Sequence, residues 1–99
     1  MVSLRDIVTN EEPIEQKHVL RLIEAGQAID LLLQHKVDDA GMNQYYLYVE
    51  YRNHLRAVFT QRNTHRCYNN LDRAVEWGSR IGFASVSLQL DYKKYKKTI

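Results

Sequence analysis

Tyr45-Tyr46-Leu47-Tyr48-Val49-Glu50-Tyr51-Arg52-Asn53-His54-Leu55-Arg56-Ala57-Val58-Phe59-Thr60-Gln61-Arg62 is the stretch on which the fold turns. Its two runs, Tyr45–Tyr51 and Leu55–Arg62, are rich in aromatic and β-branched residues and flank a short polar break, which predicts an antiparallel hairpin. Alternation places Tyr45, Leu47, Val49 and Tyr51 on one side of the first strand, and Tyr46, Tyr48, Glu50 and Arg52 on the other. In the second strand Leu55, Ala57, Phe59 and Gln61 alternate with Arg56, Val58, Thr60 and Arg62. A three-residue connection, Arg52-Asn53-His54, pairs Tyr51 with Leu55, Val49 with Ala57 and Leu47 with Phe59, and so keeps one face apolar. A two-residue loop at Asn53-His54 sets Tyr51 against Arg56 and mixes the faces. Because a one-residue slip inverts every side chain, the sequence favours the three-residue loop, with Asn53 best suited to a left-handed conformation.

Downstream, Asn69 reads as an N-cap with Asp72 three residues on, and a helix follows over Leu71–Ile81. Leu71, Ala74, Val75, Gly78 and Ile81 form its apolar stripe, Trp77 flanks it, and Gly82 suits the C-terminal cap. Ala84, Val86, Leu88 and Leu90 then alternate with Ser85, Ser87 and Gln89, a half-buried strand within Phe83–Asp91. Residues 92–99 read as a frayed basic tail carrying Lys93, Lys94, Lys96 and Lys97.

Upstream, residues 1–9 read as an extended arm, and Asn10 with Glu11, Glu12 and Pro13 as a helix start. From Ile14 to about His35, the residues Ile14, Leu22, Ala25, Ile29, Leu32 and Leu33 share one helical face. This predicts one long helix, or a helix broken at Gly26. Leu20 and Leu31 fall on a second stripe of that helix, for which a symmetric dimer contact is the simplest partner. Lys36–Asn43 reads as a loop, with Asp38, Asp39 and Gly41 as turn formers. The expected fold is therefore a single α+β domain over residues 1–99: an N-terminal long or broken helix, then a ββαβ unit, with helices on one face of a small sheet.

Composition narrows the class. An apolar fraction of 44% and a single Pro belong to an ordered domain. At 99 residues the core is small, so apolar faces tend to be shared between subunits. The one cysteine, Cys67, allows no internal disulfide; the start of the chain has no signal-peptide pattern; and the longest apolar run is Leu31-Leu32-Leu33. A soluble cytoplasmic protein with no membrane association is expected. Residues 1–40 hold four basic and eight acidic side chains, net −4, whereas residues 41–99 hold ten basic and four acidic, net +6. An acidic helical half joined to a basic β-rich half suits head-to-tail contacts or an anionic partner.

No enzyme pattern is present: there is no phosphate loop, dinucleotide fingerprint, nucleophile elbow or paired-histidine zinc helix. His65 and Cys67 form a lone His-x-Cys pair, Asp38-Asp39 is turn chemistry, and Cys67 in its basic surroundings lacks an oriented base. No catalytic residue, metal, cofactor or small-molecule substrate is expected. The chemistry that stands out is the second face of the hairpin, where Tyr46 and Tyr48 interleave with Arg52, Arg56 and Arg62. Together with Arg66 and the lysines of the tail it offers stacking surfaces and phosphate contacts for a nucleic acid.

The run Thr60-Gln61-Arg62, then Arg66-Cys67-Tyr68-Asn69-Asn70-Leu71-Asp72-Arg73-Ala74, then Ile81-Gly82-Phe83 leading into Val86-Ser87-Leu88, resembles a pattern in short accessory proteins of plasmids and integrative elements. Some of these are described as partition-associated, and most have no assigned activity. The resemblance covers residues 45–90 and implies a small bacterial mobile-element protein with no catalytic residue. The function expected is thus a non-enzymatic, self-associating accessory module, with nucleic-acid binding as the alternative.

Overall fold

The computed structural model describes residues 13–91. The arm over residues 1–9, the Asn10 cap and the lysine tail over residues 92–99 lie outside the described residues. The elements in chain order are β1 (Ile14–Glu15), α1 (Gln16–Glu24), β2 (Asp30–Val37), β3 (Asn43–Tyr51), β4 (His54–Phe59), β5 (Cys67–Tyr68), α2 (Leu71–Ile81) and β6 (Val86–Gln89). The strands form one mixed sheet of order β1-β4-β3-β2-β6, with β5 attached to β3.

The expected long N-terminal helix does not form. α1 ends at Ala25, where Gly26 adopts φ +80°. The Gly26 amide donates to the Ile23 carbonyl at 2.9 Å and the Gln27 amide to the Leu22 carbonyl at 3.0 Å. This paired 5→2 and 6→1 closure is a Schellman stop, which only a left-handed residue at Gly26 allows without strain. Beyond it, Ile29, Leu31, Leu33 and His35 are buried and alternate with Asp30, Leu32, Gln34 and Lys36, of which only Gln34 is also buried. That stretch is a strand, and its fit to a helical period was a coincidence of the Leu31-Leu32-Leu33 run.

β2 and β3 pair antiparallel from Asp30↔Glu50 to Val37↔Asn43, and β6 runs parallel on the other edge of β2, Leu31 opposite Val86 and Leu33 opposite Leu88. The turn between β2 and β3 is organised by Asp38, whose Oδ1 accepts from the Ala40 and Met42 amides at 3.0 and 2.9 Å and whose Oδ2 accepts from the Gln44 side chain at 3.1 Å. The Met42 amide first, then the Gln44 amide, hold this carboxyl below the usual carboxylate range.

The β3–β4 hairpin exists, but its register is one residue from the expected one. Tyr51 pairs with His54, Glu50 with Leu55, Val49 with Arg56 and Tyr48 with Ala57. The connection is the two-residue turn Arg52-Asn53, with φ of 51° and 65°. Two consecutive left-handed residues mark the type I′ turn, whose twist matches that of the strands it joins. Asn53 takes the left-handed role expected of it, and Arg52, a residue that rarely accepts positive φ, joins it. The twist match of the turn thus outweighs a clean apolar face, and Arg56 comes to lie beside Val49.

Both helices cover the side of the sheet that carries Leu31, Leu33, Tyr45, Leu47, Val49 and Val58. α2 begins at its Asn70 cap, whose side chain accepts from the Arg73 amide at 3.2 Å, and ends at Gly82 in the left-handed region. Its buried residues are Ala74, Trp77 and Gly78, so Trp77 enters the core and Val75, expected inside, is 42% exposed. At Gly78 a Cβ atom would stand 2.6 Å from Leu31 Cδ2, so glycine sets how closely α2 approaches β2.

Candidate binding surfaces

The second face of the sheet is covered by neither described helix. Its character follows from how the chain leaves β4. After Phe59, the turn at residues 60–64 closes through the Thr60 amide on the Thr64 carbonyl at 2.9 Å, and Asn63 takes φ +60°. The returning chain wedges between β3 and the end of β4. The Arg66 amide donates to Val58 at 2.8 Å, the Leu47 amide donates to Arg66 at 3.1 Å, and β5 then pairs with Tyr45 and Tyr46.

This wedge puts His65 at the centre of an aromatic cluster. Its ring centroid lies 4.8 Å from that of Tyr48, edge-on, 5.0 Å from Tyr46 and 5.6 Å from Phe59, nearly parallel. His65 Nε2 donates to the Leu47 carbonyl at 2.8 Å. Burial lowers the His65 pKa; the Leu47 hydrogen bond opposes this, and the Lys36 charge adds to it. Burial also raises the Tyr46 and Tyr48 phenols. Tyr48 donates to Gln34 Oε1 at 3.3 Å, and the Lys36 ammonium sits 5.1 Å from the Tyr46 ring centre.

The residues singled out by sequence do not assemble into one patch. Tyr46 and Tyr48 are half-buried on this second face. Arg52 is at the hairpin turn, 5.1 Å from the Tyr51 ring. Arg56 pairs with buried Val49 and therefore points to the helix side, against Ile14 and Leu22. Arg62 is exposed in the turn after β4. Arg66 lies beneath α2, its Nη2 donating to Tyr68 Oη at 2.6 Å and its guanidinium 5.4 Å from the Trp77 ring. Lys93, Lys94, Lys96 and Lys97 lie outside the described residues. Leu20 is 37% exposed on α1, whereas Leu31 is fully buried in β2. With the helix that was to carry them absent, these two leucines share no surface.

Sequence reasoning missed Lys36, Phe59 and His65 as neighbours of the tyrosines. Lys36 was hidden by reading β2 as helix. His65 and Phe59 meet through an isolated antiparallel bridge that no local pattern announces. The strand expected within Phe83–Asp91 is there as β6, but its place at the outer edge beside β2, with Val86 45% and Leu88 42% exposed, could not be read from the sequence. Among the described residues no three His, Cys, Asp or Glu side chains gather as a metal-ligand set, and no helix is long and apolar enough to cross a membrane. Cys67 is exposed, its Sγ 3.8 Å from Gln44 Oε1.

These features define a small mixed-sheet domain with two helices on one face, an aromatic cluster on the other, and an apolar strand at one edge. No protein-family model matches the chain, and no curated protein or solved structure matches it.

Proposed function

We propose that this chain is a non-enzymatic accessory module that pairs with a second copy of itself through β6. The observation that carries the reading is the exposed pair Val86 and Leu88 on a strand with no neighbour on its outer side among the described residues. An uncovered apolar edge strand favours pairing with another strand, and a two-fold arrangement of β6 against β6 satisfies both copies at once. The resemblance to plasmid and integrative-element accessory proteins is compatible with this role. Light scattering behind size exclusion tests it. The wild-type chain is expected to run as a dimer at high micromolar concentration, and a Val86→Lys/Leu88→Lys variant as a folded monomer. A wild-type monomer across that range removes the reading.

A second reading, single-stranded nucleic-acid binding, has its own support in the cluster of Tyr46, Tyr48, Phe59 and His65 flanked by Lys36. Rings on a sheet face that neither described helix covers suit base stacking, and a neighbouring cation suits the backbone. It predicts binding of labelled DNA or RNA that weakens steeply with salt. Tyr46→Ala and Lys36→Glu weaken that binding, whereas Arg56→Glu, on the helix side, leaves it unchanged. Equal effects of the three variants rule out this face.

A further inference from the structure

Between the start of α1 and the turn after β4 lies a cavity of about 630 Å³, walled by Gln16, Lys17, Thr60, Arg62, Thr64 and Arg66, with Leu20 at its side. Three of its four charged side chains, Lys17, Arg62 and Arg66, are cationic donors. The one carboxylate of its wall, Glu15, is taken up by Lys17 at 3.4 Å, and neither Arg62 nor Arg66 meets a carboxylate among the described residues. Arg66 is held in place: Nη2 is committed to Tyr68 Oη, and the guanidinium carbon lies 5.2 and 5.4 Å from the ring centres of Tyr68 and Trp77.

Arg66, which lines the cavity, and Trp77, which stacks on it from outside the lining, are also short of acceptors. Arg66 Nε and the indole Nε1 of Trp77 are both enclosed and both without a hydrogen-bond partner. Native proteins rarely leave buried donors unpaired. Thr60 Oγ1 and Thr64 Oγ1 are 2.7 Å apart, so one hydroxyl donates to the other and a single proton is left for an outside acceptor. At α1, the Glu15 side chain makes no cap hydrogen bond and the first turn, Gln16 to His18, holds no acidic residue, so its amides are open to a further acceptor.

Two guanidinium groups, a free hydroxyl proton and the uncapped amides at the start of α1 offer more donors than a planar carboxylate with one charge can use. A tetrahedral dianion matches them better, because its three terminal oxygens accept from separate directions. The cavity is larger than a phosphate group, and Leu20 supplies an apolar wall for an organic substituent. We propose that this cavity binds a phosphate monoester, its phosphate held by Arg62 and Arg66 at the first turn of α1. The proposal is independent of pairing through β6 and of the aromatic face.

The test is a titration of the full chain with phenyl phosphate at constant ionic strength, followed by amide shifts in NMR. The expected result is saturable shifts at Gln16, Lys17 and residues 60–66, with affinity falling about tenfold or more in Arg62→Gln and unchanged in Arg52→Gln. Arg62 is exposed, so its variant is expected to fold. Arg66→Lys keeps the charge but loses the planar stack, and weakens binding as well. Two further arms separate the sources of such a group. An oligonucleotide that binds at these amides with a 5′-phosphate and not with a 5′-hydroxyl identifies strand ends as ligands; equal binding of phenyl phosphate and the phosphorylated strand identifies small monoesters. Shifts no larger than those given by sodium chloride, or equal affinity in wild type and Arg62→Gln, overturn the proposal.

Discussion

His65 shows how one side chain joins a fold to its candidate surface. Its Nε2 proton is fixed on the Leu47 carbonyl, so the neutral ring fastens the returning chain to β3 while three aromatic rings pack around it. Burial places its folded-state pKa below the unfolded value of about 6.5. The unfolded chain therefore takes up the proton first as pH falls. The contribution of neutral His65 is complete above the unfolded pKa and declines as pH drops through it towards the folded value. Because the ring is only half-buried, the effect is screened and modest. Thermal unfolding of the wild type is expected to lose more stability between pH 7 and 5 than that of His65→Gln, and parallel curves contradict this account. Asp38 has the same sign from a different cause: hydrogen bonds to its ionised form depress its pKa, and its support of the β2–β3 turn is lost only when pH falls through that depressed value. At the other hairpin, the left-handed pair Arg52-Asn53 shows a residue accepting an uncommon conformation because the strands on either side demand the twist.

Among the elements, α2 depends most on a single atom's absence. Gly78 lets the helix backbone lie against fully buried Leu31, and an added methyl group would meet Leu31 Cδ2 at 2.6 Å. Gly78→Ala gains about 1 kcal/mol of helix propensity but forces Leu31 out of a packed position, at a cost of about 1–3 kcal/mol. A net destabilisation of about 1 kcal/mol is expected in denaturant titration, and a more stable variant shows that Leu31 can move aside freely. This element was legible in the sequence, because Gly82 marks its end and its apolar residues follow a helical period, although its cap is Asn70 and not the expected Asn69, the side chain that reaches the Arg73 amide being that of Asn70. The hairpin was legible for a similar reason, strict alternation, although its register was not, because the turn type overrode the apolar pattern. β2 was not legible. Ile29, Leu32 and Leu33 sit at helical spacing while Ile29, Leu31 and Leu33 sit at strand spacing, and the Schellman stop at Gly26 decides between them. Of the candidate surface, Tyr46 and Tyr48 followed from alternation within one strand. Their companions did not, since Lys36 comes from β2 and His65 from a chain segment wedged in after β4.

For the whole molecule, the correction at β2 changes which part of the chain can stand alone. A helix followed by ββαβ would leave residues 43–91 as a self-contained unit. In the sheet order β1-β4-β3-β2-β6 that unit has a gap in it, because β6 bonds only to β2 and β3 loses its longest partner without it. Leu31 and Leu33, both essentially unexposed, lie beneath the helices between Leu47 and Val49 on one side and β6 on the other. The described parts of the acidic and basic stretches, residues 13–40 and 41–91, therefore share one sheet and do not form two opposed halves. Removing β2 exposes the apolar face of β3 and leaves β6 without a ladder, and fewer than fifty residues remain to bury a core, which is too few without added support. The fragment of residues 43–91 is expected to show the circular dichroism of an unfolded chain, whereas residues 1–99 unfold in one cooperative transition seen alike by backbone and aromatic signals. In the full chain Leu33→Ala is expected to lower stability by about 2–5 kcal/mol while leaving that transition single. A fragment that keeps a native-like sheet spectrum and melts cooperatively means that β3, β4, α2 and β6 are held together by contacts other than those through β2.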